Sequence, residues 1–241
     1  MSSTIRFDIS PWRRPMNSQT ISIAPDAALR RLREGNRRFM ADPYLGTGAL
    51  ECTRRAEHSR RQEPLAAVLG CSDSRVPVEM VFGQGLGQLF VVRVAGHVVT
   101  PTQLGSLEFA VGRLGVRLIV VLGHSECGAV AATLARLACT DSGDANGYFG
   151  FITERISRAL LDTRRGDDQS GLPNLEEAVA LNVRQSCADL GRESPALAEQ
   201  LGSGALRVVG AVYDLESGRV EFVDDVGMGA ESVSGVSGDP I

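Results

Sequence analysis

Two short segments of the sequence end in residue types that bind metals. The apolar run Leu65–Gly70 is followed directly by Cys71, and the apolar run Arg117–Gly123 is followed by His124 and Cys127. Such runs are typical of strands buried on both faces of a parallel sheet, and the carboxyl ends of parallel strands share one edge. Two sulfurs and an imidazole are a donor set that zinc prefers, and three protein ligands leave one position open, as in catalytic sites. The sequence therefore predicts a zinc centre at this edge.

An acidic and a basic residue follow shortly after Cys71. Asp73 and Arg75 lie two and four residues beyond it. A guanidinium favours the ionised form of a neighbouring carboxylate and holds that carboxylate in place. Such a carboxylate can accept a hydrogen bond from a zinc-bound water and orient its oxygen. If Arg75 released Asp73, the carboxylate could instead occupy the fourth position on zinc and give an inactive closed form.

Two further motifs were weighed against this interpretation. The glycines of segment 83–87 have the spacing of a dinucleotide-binding loop, but they lead into a strand and not a helix, so we reject that reading. Ser125 lies where a serine hydrolase carries its nucleophile, although Cys127 replaces the last glycine of that motif. Its base would have to be His58 or His97. A packing or dimer-interface role for His97 competes with that of a proton shuttle, and we leave this residue out of the site.

The charged residues exclude several classes of protein. The 241 residues include 25 basic and 29 acidic side chains, and every basic one is arginine. Without lysine there can be neither a lysine Schiff base nor the usual phosphate-binding loop. The net charge of −4 argues against nucleic-acid binding, and no apolar run is long enough to cross a membrane. Five widely spaced cysteines do not form a secreted disulfide framework, so we expect a cytoplasmic protein.

The elements that must position these residues alternate along the chain. This order predicts an α/β fold with a mostly parallel central sheet flanked by helices, an N-terminal helical arm and a C-terminal hairpin. We expect an arm at 1–25, one domain at 26–226 and a flexible Gly/Ser-rich tail at 227–241. The predicted helices are Asp26–Met40, Pro101–Leu114, Ala129–Ala138, Phe149–Arg164 and Asn174–Leu190. The predicted strands are Leu65–Gly70, Gln88–Val94, Arg117–Gly123, Leu206–Leu215 and Arg219–Val223.

The two motifs together resemble the signature of the beta-class carbonic anhydrases. The first is Cys-Ser-Asp-Ser-Arg-Val-Pro at 71–77, and the second is Gly-His-Ser-Glu-Cys-Gly at 123–128. The resemblance implies that Cys71, His124 and Cys127 bind one zinc ion per chain. It also implies that Asp73 and Arg75 act beside the metal, and that the chain assembles into a dimer or tetramer.

The same resemblance implies a substrate pocket and a reaction. Gln62, Phe90, Phe109 and Gly128 match family positions that contact the substrate. The implied activity is the reversible hydration of carbon dioxide to bicarbonate and a proton by zinc-bound hydroxide. Since two thiolates cancel the charge of the ion, we expect the activity to rise on the alkaline side.

Two alternatives remain open at this stage. The same zinc scaffold could hydrolyse carbon disulfide or carbonyl sulfide if access to the pocket were altered. A homologue that only senses zinc or bicarbonate would not be an enzyme. The retention of Gln62, Asp73 and Arg75 argues against the sensor.

Overall fold

The computed structural model describes residues 23–42, 62–138, 147–162 and 171–226. The strands in these ranges are β1 (Ala66–Gly70), β2 (Leu89–Arg93), β3 (Leu118–His124), β4 (Arg207–Tyr213) and β5 (Val220–Val226). The helices are α1 (Pro25–Ala41), α2 (Val78–Val81), α3 (Pro101–Leu114), α4 (Gly128–Ala138), α5 (Phe149–Asp162), α6 (Leu175–Glu193) and α7 (Pro195–Gly202), with a short 3-10 helix at Ala95–His97. Within the described part of the chain, each helix is too short or too polar to cross a bilayer. The predicted tail, and the predicted arm up to residue 22, lie outside the described residues.

The five strands form one sheet in the order β2-β1-β3-β4-β5. The pairs β1–β2, β1–β3 and β3–β4 are parallel, whereas β4 and β5 pair in antiparallel fashion as a hairpin. The prediction of a mostly parallel sheet with a C-terminal hairpin is therefore confirmed. Because β1 and β3 are neighbours, their carboxyl ends lie side by side, and this is the edge where the two motifs begin.

The two central strands and the edge strand differ in burial. Every residue of β1 and β3 is buried, as the continuous apolar runs predict. The apolar segment Gln88–Val94 forms the predicted strand, but β2 is not buried on both faces, because only Leu89 is buried and Phe90, Val91 and Val92 are half-buried. The physical reason is its position, because β2 has a neighbouring strand on one side only.

Helices cover both faces of the sheet. Along each strand, successive side chains point to opposite faces, so Val68 and Leu69 enter different apolar clusters. The cluster around Val68 includes residues of α1 and α2, and the cluster around Leu69 includes residues of α3, α6 and α7. The capping box between Asn174 and Glu177 fixes the first turn of α6.

The N-terminal helix is anchored to the hairpin by one buried amide. Asn36 of α1 is 3% exposed. Its Nδ2 donates to the carbonyl oxygens of Val81 (3.0 Å) and Gly218 (2.9 Å), and its Oδ1 accepts from the backbone N–H of Val220 (2.9 Å). The helix predicted at Asp26–Met40 is therefore packed on the rest of the described chain.

Candidate metal centre

The structure brings together the three residues predicted to bind a metal. Cys71 directly follows the last residue of β1, His124 is the last residue of β3, and Cys127 precedes the first residue of α4. One ligand atom from each lies within 4.8 Å of the other two, and all three residues are buried. This is the convergence that two neighbouring parallel strands produce when each ends in a ligand.

The donors of this cluster fit a zinc ion. The Nδ1 of His124 lies 2.8 Å from the carbonyl oxygen of Ser125 and must donate to it, because a carbonyl oxygen only accepts. That bond fixes the tautomer in which Nε2 carries a free lone pair. Among the described residues, Nε2 is buried without a hydrogen-bond partner. A buried lone pair within 4.8 Å of two sulfurs, without a hydrogen-bond donor, is the environment of a metal-binding imidazole.

The charges of the cluster also favour a cation. The hydrogen bond from the Cys127 thiol lowers the pKa of Cys71 to about 3, although burial opposes the shift. The same hydrogen bond raises the pKa of Cys127. Burial pushes the pKa of His124 down, but contact with the Cys71 thiolate outweighs burial and the net shift is upward. The site therefore concentrates negative charge on sulfur, and a metal ion can take the place of the shared proton.

Asp73 and Arg75 form a close pair next to the cluster. The Oδ1 of Asp73 accepts from both the backbone N–H and the Nε of Arg75 at 2.9 Å, and Oδ2 accepts from Nη2 at 2.8 Å. The guanidinium holds the pKa of the Asp73 carboxyl well below its usual range. Oδ2 also lies 3.9 Å from the Nε2 of His124. The structure thus places an ionised oxygen beside the position that a metal would occupy.

Arg93, the last residue of β2, braces the segment that carries Cys71 and Asp73. Its Nε donates to the carbonyl oxygen of Cys71 at 2.8 Å, and its Nη2 donates to the carbonyl oxygen of Asp73. Arg93 is not among the residues predicted for the site. The signal that could have found it is an arginine at the end of an otherwise apolar strand, since such a residue lies at the same sheet edge as the ligands.

His97 is a buried residue of the scaffold. It is 0% exposed, and its Nε2 lies 3.1 Å from the Nδ2 of Asn182, which must donate because an amide nitrogen cannot accept. Burial lowers the pKa of His97 to about 4, so its ring is neutral near pH 7. A neutral ring enclosed by protein does not exchange protons with solvent, which argues for packing over proton transfer.

We expect His97 to make the protein less stable in acid. Its pKa falls from 6.5 to about 4 on folding, so between these values the unfolded chain binds more protons and stability decreases as the pH falls. His97→Gln keeps an acceptor for Asn182 and removes the titration. Urea unfolding at a series of pH values should show that the wild type loses about 3 kcal/mol more than the variant across this window. Parallel pH curves for the two proteins would contradict this expectation.

Within one chain, only some of the residues assigned to the substrate pocket lie close to one another. The rings of Phe90 and Phe109 lie together, with centroids 6.2 Å apart. Gly128 is exposed at the start of α4, and a methyl group added to it would meet no atom within 4 Å. Gln62 is exposed and precedes β1, whereas Cys71 follows it, so the five-residue strand separates them by about 15 Å or more. Their roles toward the substrate remain predictions.

The hydroxyl of Ser125 has a structural task. Its Oγ accepts from the backbone N–H of Leu215 at 2.9 Å, and its backbone N–H donates to the carbonyl oxygen of Tyr213 at 2.9 Å. Ser125 thereby ties the end of β3 to the β4–β5 turn. The two histidines of the described chain are engaged elsewhere, since His124 faces the thiols and His97 contacts Asn182, and His58 lies outside the described residues. This arrangement does not support a serine nucleophile.

Comparisons with known proteins agree on one family. A family model described as carbonic anhydrase matches residues 66–220. The carbonic anhydrase of Mycolicibacterium smegmatis is 44% identical over 205 residues, covering 84% of this chain and 95% of that protein. Carbonic anhydrase 2 of Mycobacterium tuberculosis is 42% identical over 210 residues, covering 87% of this chain and 98% of that protein. The solved structure of Coccomyxa beta-carbonic anhydrase in complex with acetazolamide has a TM-score of 0.62 at 26% identity, covering 83% of this chain and 88% of that one.

Proposed function

The chain belongs to the carbonic anhydrase family, in its beta class, and is an enzyme of that kind, and we propose that Cys71, His124 and Cys127 bind one zinc ion at the catalytic centre. The observation that carries the proposal is the buried Nε2 of His124. This atom lies within 4.8 Å of both thiol sulfurs and has no hydrogen-bond partner within the described chain. The substrate pair that we assign to the site is carbon dioxide and bicarbonate.

The three proposed ligands form a rigid, negatively charged binding site for the ion. Zinc held in it would act as a Lewis acid toward water, which is what the hydration of carbon dioxide requires. The chain's part is to fix the donors before the ion arrives. The Ser125 carbonyl orients the imidazole of His124, Arg93 holds the backbone of Cys71, and burial keeps bulk water away from the sulfurs.

Asp73 orients the reacting water and does not keep its proton. Its ionised carboxylate can only accept hydrogen bonds. Oδ1 accepts two hydrogen bonds from Arg75 and Oδ2 accepts one, so Oδ2 has acceptor capacity left. Oδ2 is also the oxygen that lies 3.9 Å from the Nε2 of His124. Because the pKa of Asp73 is held so low, a proton taken from water must pass on to solvent and cannot remain on this group.

Stopped-flow hydration of carbon dioxide tests the proposed function. We expect zinc-loaded protein to accelerate hydration and the activity to be greater at alkaline than at neutral pH. Removal of the metal with a chelator should abolish the acceleration, and added zinc should restore it. Zinc-loaded protein that is inactive on carbon dioxide but hydrolyses carbonyl sulfide would overturn the substrate and keep the metal. Activity that survives complete removal of the metal would overturn the zinc centre.

A reducing compartment suits this site. Cys71 and Cys127 are within 4.8 Å of each other, and neither forms a disulfide in the described chain. Oxidation of this pair would remove both thiolate ligands at once. We therefore assign the enzyme to the cytoplasm, where thiols are kept reduced.

The outermost strand of the sheet, β2, supports a homo-oligomer. β2 is an edge strand whose side chains are apolar up to Arg93, and Phe90, Val91 and Val92 remain half-exposed. Apolar edge strands invite pairing or aggregation unless something covers them. A second copy of the chain covers this strand without requiring any other protein.

We expect Val92→Asp to weaken or abolish this assembly, because a carboxylate in an apolar interface is left without a partner. Light scattering coupled to size-exclusion chromatography should show a dimer or tetramer for the wild type and mostly single chains for the variant. Phe151→Ser is the control, since Phe151 is 66% exposed on α5 and is not part of β2. Loss of assembly in the Phe151 variant alone would place the interface on α5 instead.

A further inference from the structure

One backbone N–H points at a predicted zinc ligand. The N–H of Gly96 donates to the Sγ of Cys71 at 3.4 Å, in a buried position. Gly96 lies in the turn 94–97, which is joined to β1 by the bond from the N–H of Val94 to the carbonyl of Gly70. Hydrogen bonds from N–H groups stabilise charge on sulfur and tune the metal that the sulfur binds. The position of Gly96 therefore matters for the ligand.

The turn that carries this N–H has a strained backbone. Gly96 has φ +66° and His97 has φ +42°, both in the left-handed region. A Cβ at position 96 would lie 2.8 Å from Cδ1 of Ile156 and 3.3 Å from Cβ of Ala129, so a side chain here would displace Ile156 and also require a left-handed φ, which favours glycine. Left-handed residues of this kind persist when surrounding contacts enforce them. The turn needs such contacts from outside itself.

The contacts come from two buried side chains of α6. Asn182 donates through Nδ2 to the carbonyl oxygen of Gly96 at 2.8 Å and to the Nε2 of His97 at 3.1 Å, which uses both of its amide hydrogens. One helical turn later, the Oγ of Ser186 donates to the carbonyl oxygen of His97 at 3.1 Å. Asn182 is 2% exposed and Ser186 is 3% exposed. Water therefore does not replace these donors.

We propose that Asn182 is a positioning residue for the zinc ligand Cys71, acting through the peptide of Gly96. By fixing the Gly96 carbonyl and the His97 ring together, it sets the orientation of the turn and so aims the Gly96 N–H at the sulfur. The inference rests on the proposed function, because Cys71 is a metal ligand only within it. Asn182 lies outside both sequence motifs, residues 71–77 and 123–128, that contain the predicted ligands.

The chemical effect falls on the metal–sulfur bond. A thiolate that accepts a hydrogen bond donates less electron density to its metal, which leaves the metal a stronger Lewis acid. Without Asn182, the turn can rotate its N–H away from Cys71. The sulfur then holds its electrons less tightly, and the ligand is less well ordered before the metal binds.

The test compares Asn182→Ala with Asn36→Ala. Both substitutions remove a buried amide that makes hydrogen bonds between distant segments, but Asn36 joins α1 to α2 and the hairpin turn, with no bond to the turn 94–97. In cobalt-substituted protein, we expect Asn182→Ala to move the sulfur-to-cobalt charge-transfer band to longer wavelength. We expect competition with a chelator to show roughly tenfold weaker zinc binding. Asn36→Ala should leave both measurements at wild-type values.

The outcomes separate this inference from the proposed function. Wild-type protein that binds no zinc would overturn the function itself. Wild-type protein that binds zinc, with the band and the affinity unchanged in Asn182→Ala, would overturn only the role of Asn182 and leave it as a stabilising residue. If Asn182→Ala does not fold, Ser186→Ala removes one of the bonds to the turn. A smaller shift of the band in the same direction then supports the proposal, and an unchanged band contradicts it.

Discussion

Cys71→Ala is expected to lose bound zinc and the hydration of carbon dioxide together. With one of the three proposed ligands removed, we expect the remaining imidazole and thiolate to bind the ion too weakly for it to stay through purification. The catalytic efficiency should fall by at least about 1,000-fold, since Lewis-acid activation of water contributes several kcal/mol to the rate. Metal analysis and stopped-flow hydration on the same preparation measure both losses.

Cys187→Ala is the matched control for this substitution. Cys187 is buried like Cys71, but it lies between α6 and the sheet, where its Sγ is 3.4 Å from the position a Cβ would take on Gly210 of β4. Its truncation should cost about 1–2 kcal/mol of stability by leaving a small cavity. Zinc content and activity should remain at wild-type levels. Equal loss of zinc in both variants would mean that unfolding, and not ligation, explains the result for Cys71.

The predictable part of this fold is the part whose signal is local. β1 and β3 are continuous apolar runs that end in metal-binding residue types, and two such strands side by side suffice to place Cys71, His124 and Cys127 together. The pairing of Asp73 with Arg75 is equally local, because only one residue lies between them and the chain turns back there.

The remaining features depend on distant parts of the chain. Gly96 and His97 take left-handed conformations because Asn182 and Ser186 hold them from α6, more than eighty residues away, and no pattern around position 96 announces this. The exposure of β2 follows from strand order and not from its sequence, which is as apolar as that of a central strand.

Two short helices show where periodicity fails as a signal. α2 has four residues and α7 has eight, too few for an apolar stripe to repeat. α7 does carry a start signal, since the Oγ of Ser194 accepts from the N–H of Leu197 and Pro195 occupies the first turn. Capping residues alone can therefore mark a helix whose length hides its periodicity.

Arg75→Ala is expected to lower the rate of hydration while zinc stays bound. The variant keeps the backbone N–H that donates to Oδ1 of Asp73, but it loses the Nε bond to the same oxygen and the Nη2 bond to Oδ2. It also loses the bond from Nη2 to the carbonyl of Glu126, a left-handed residue that directly precedes Cys127. Because Oδ2 is the oxygen to which we assign the orientation of the reacting water, we expect kcat/KM to fall roughly 10–100-fold.

The pair of Arg192 and Asp189 supplies the control for Arg75. Arg192 has a side chain 54% exposed, against 53% for Arg75, and it also binds an aspartate whose side chain is mostly covered, 8% exposed against 18% for Asp73. Arg192→Ala therefore removes a similar surface ion pair on α6 and should leave kcat/KM unchanged. Arg75→Lys separates charge from geometry, because lysine keeps the positive charge but lacks the planar fork that binds both oxygens. If orientation of Asp73 is the role of Arg75, the lysine variant stays impaired; full activity with lysine would mean that a positive charge near the metal is all the reaction needs.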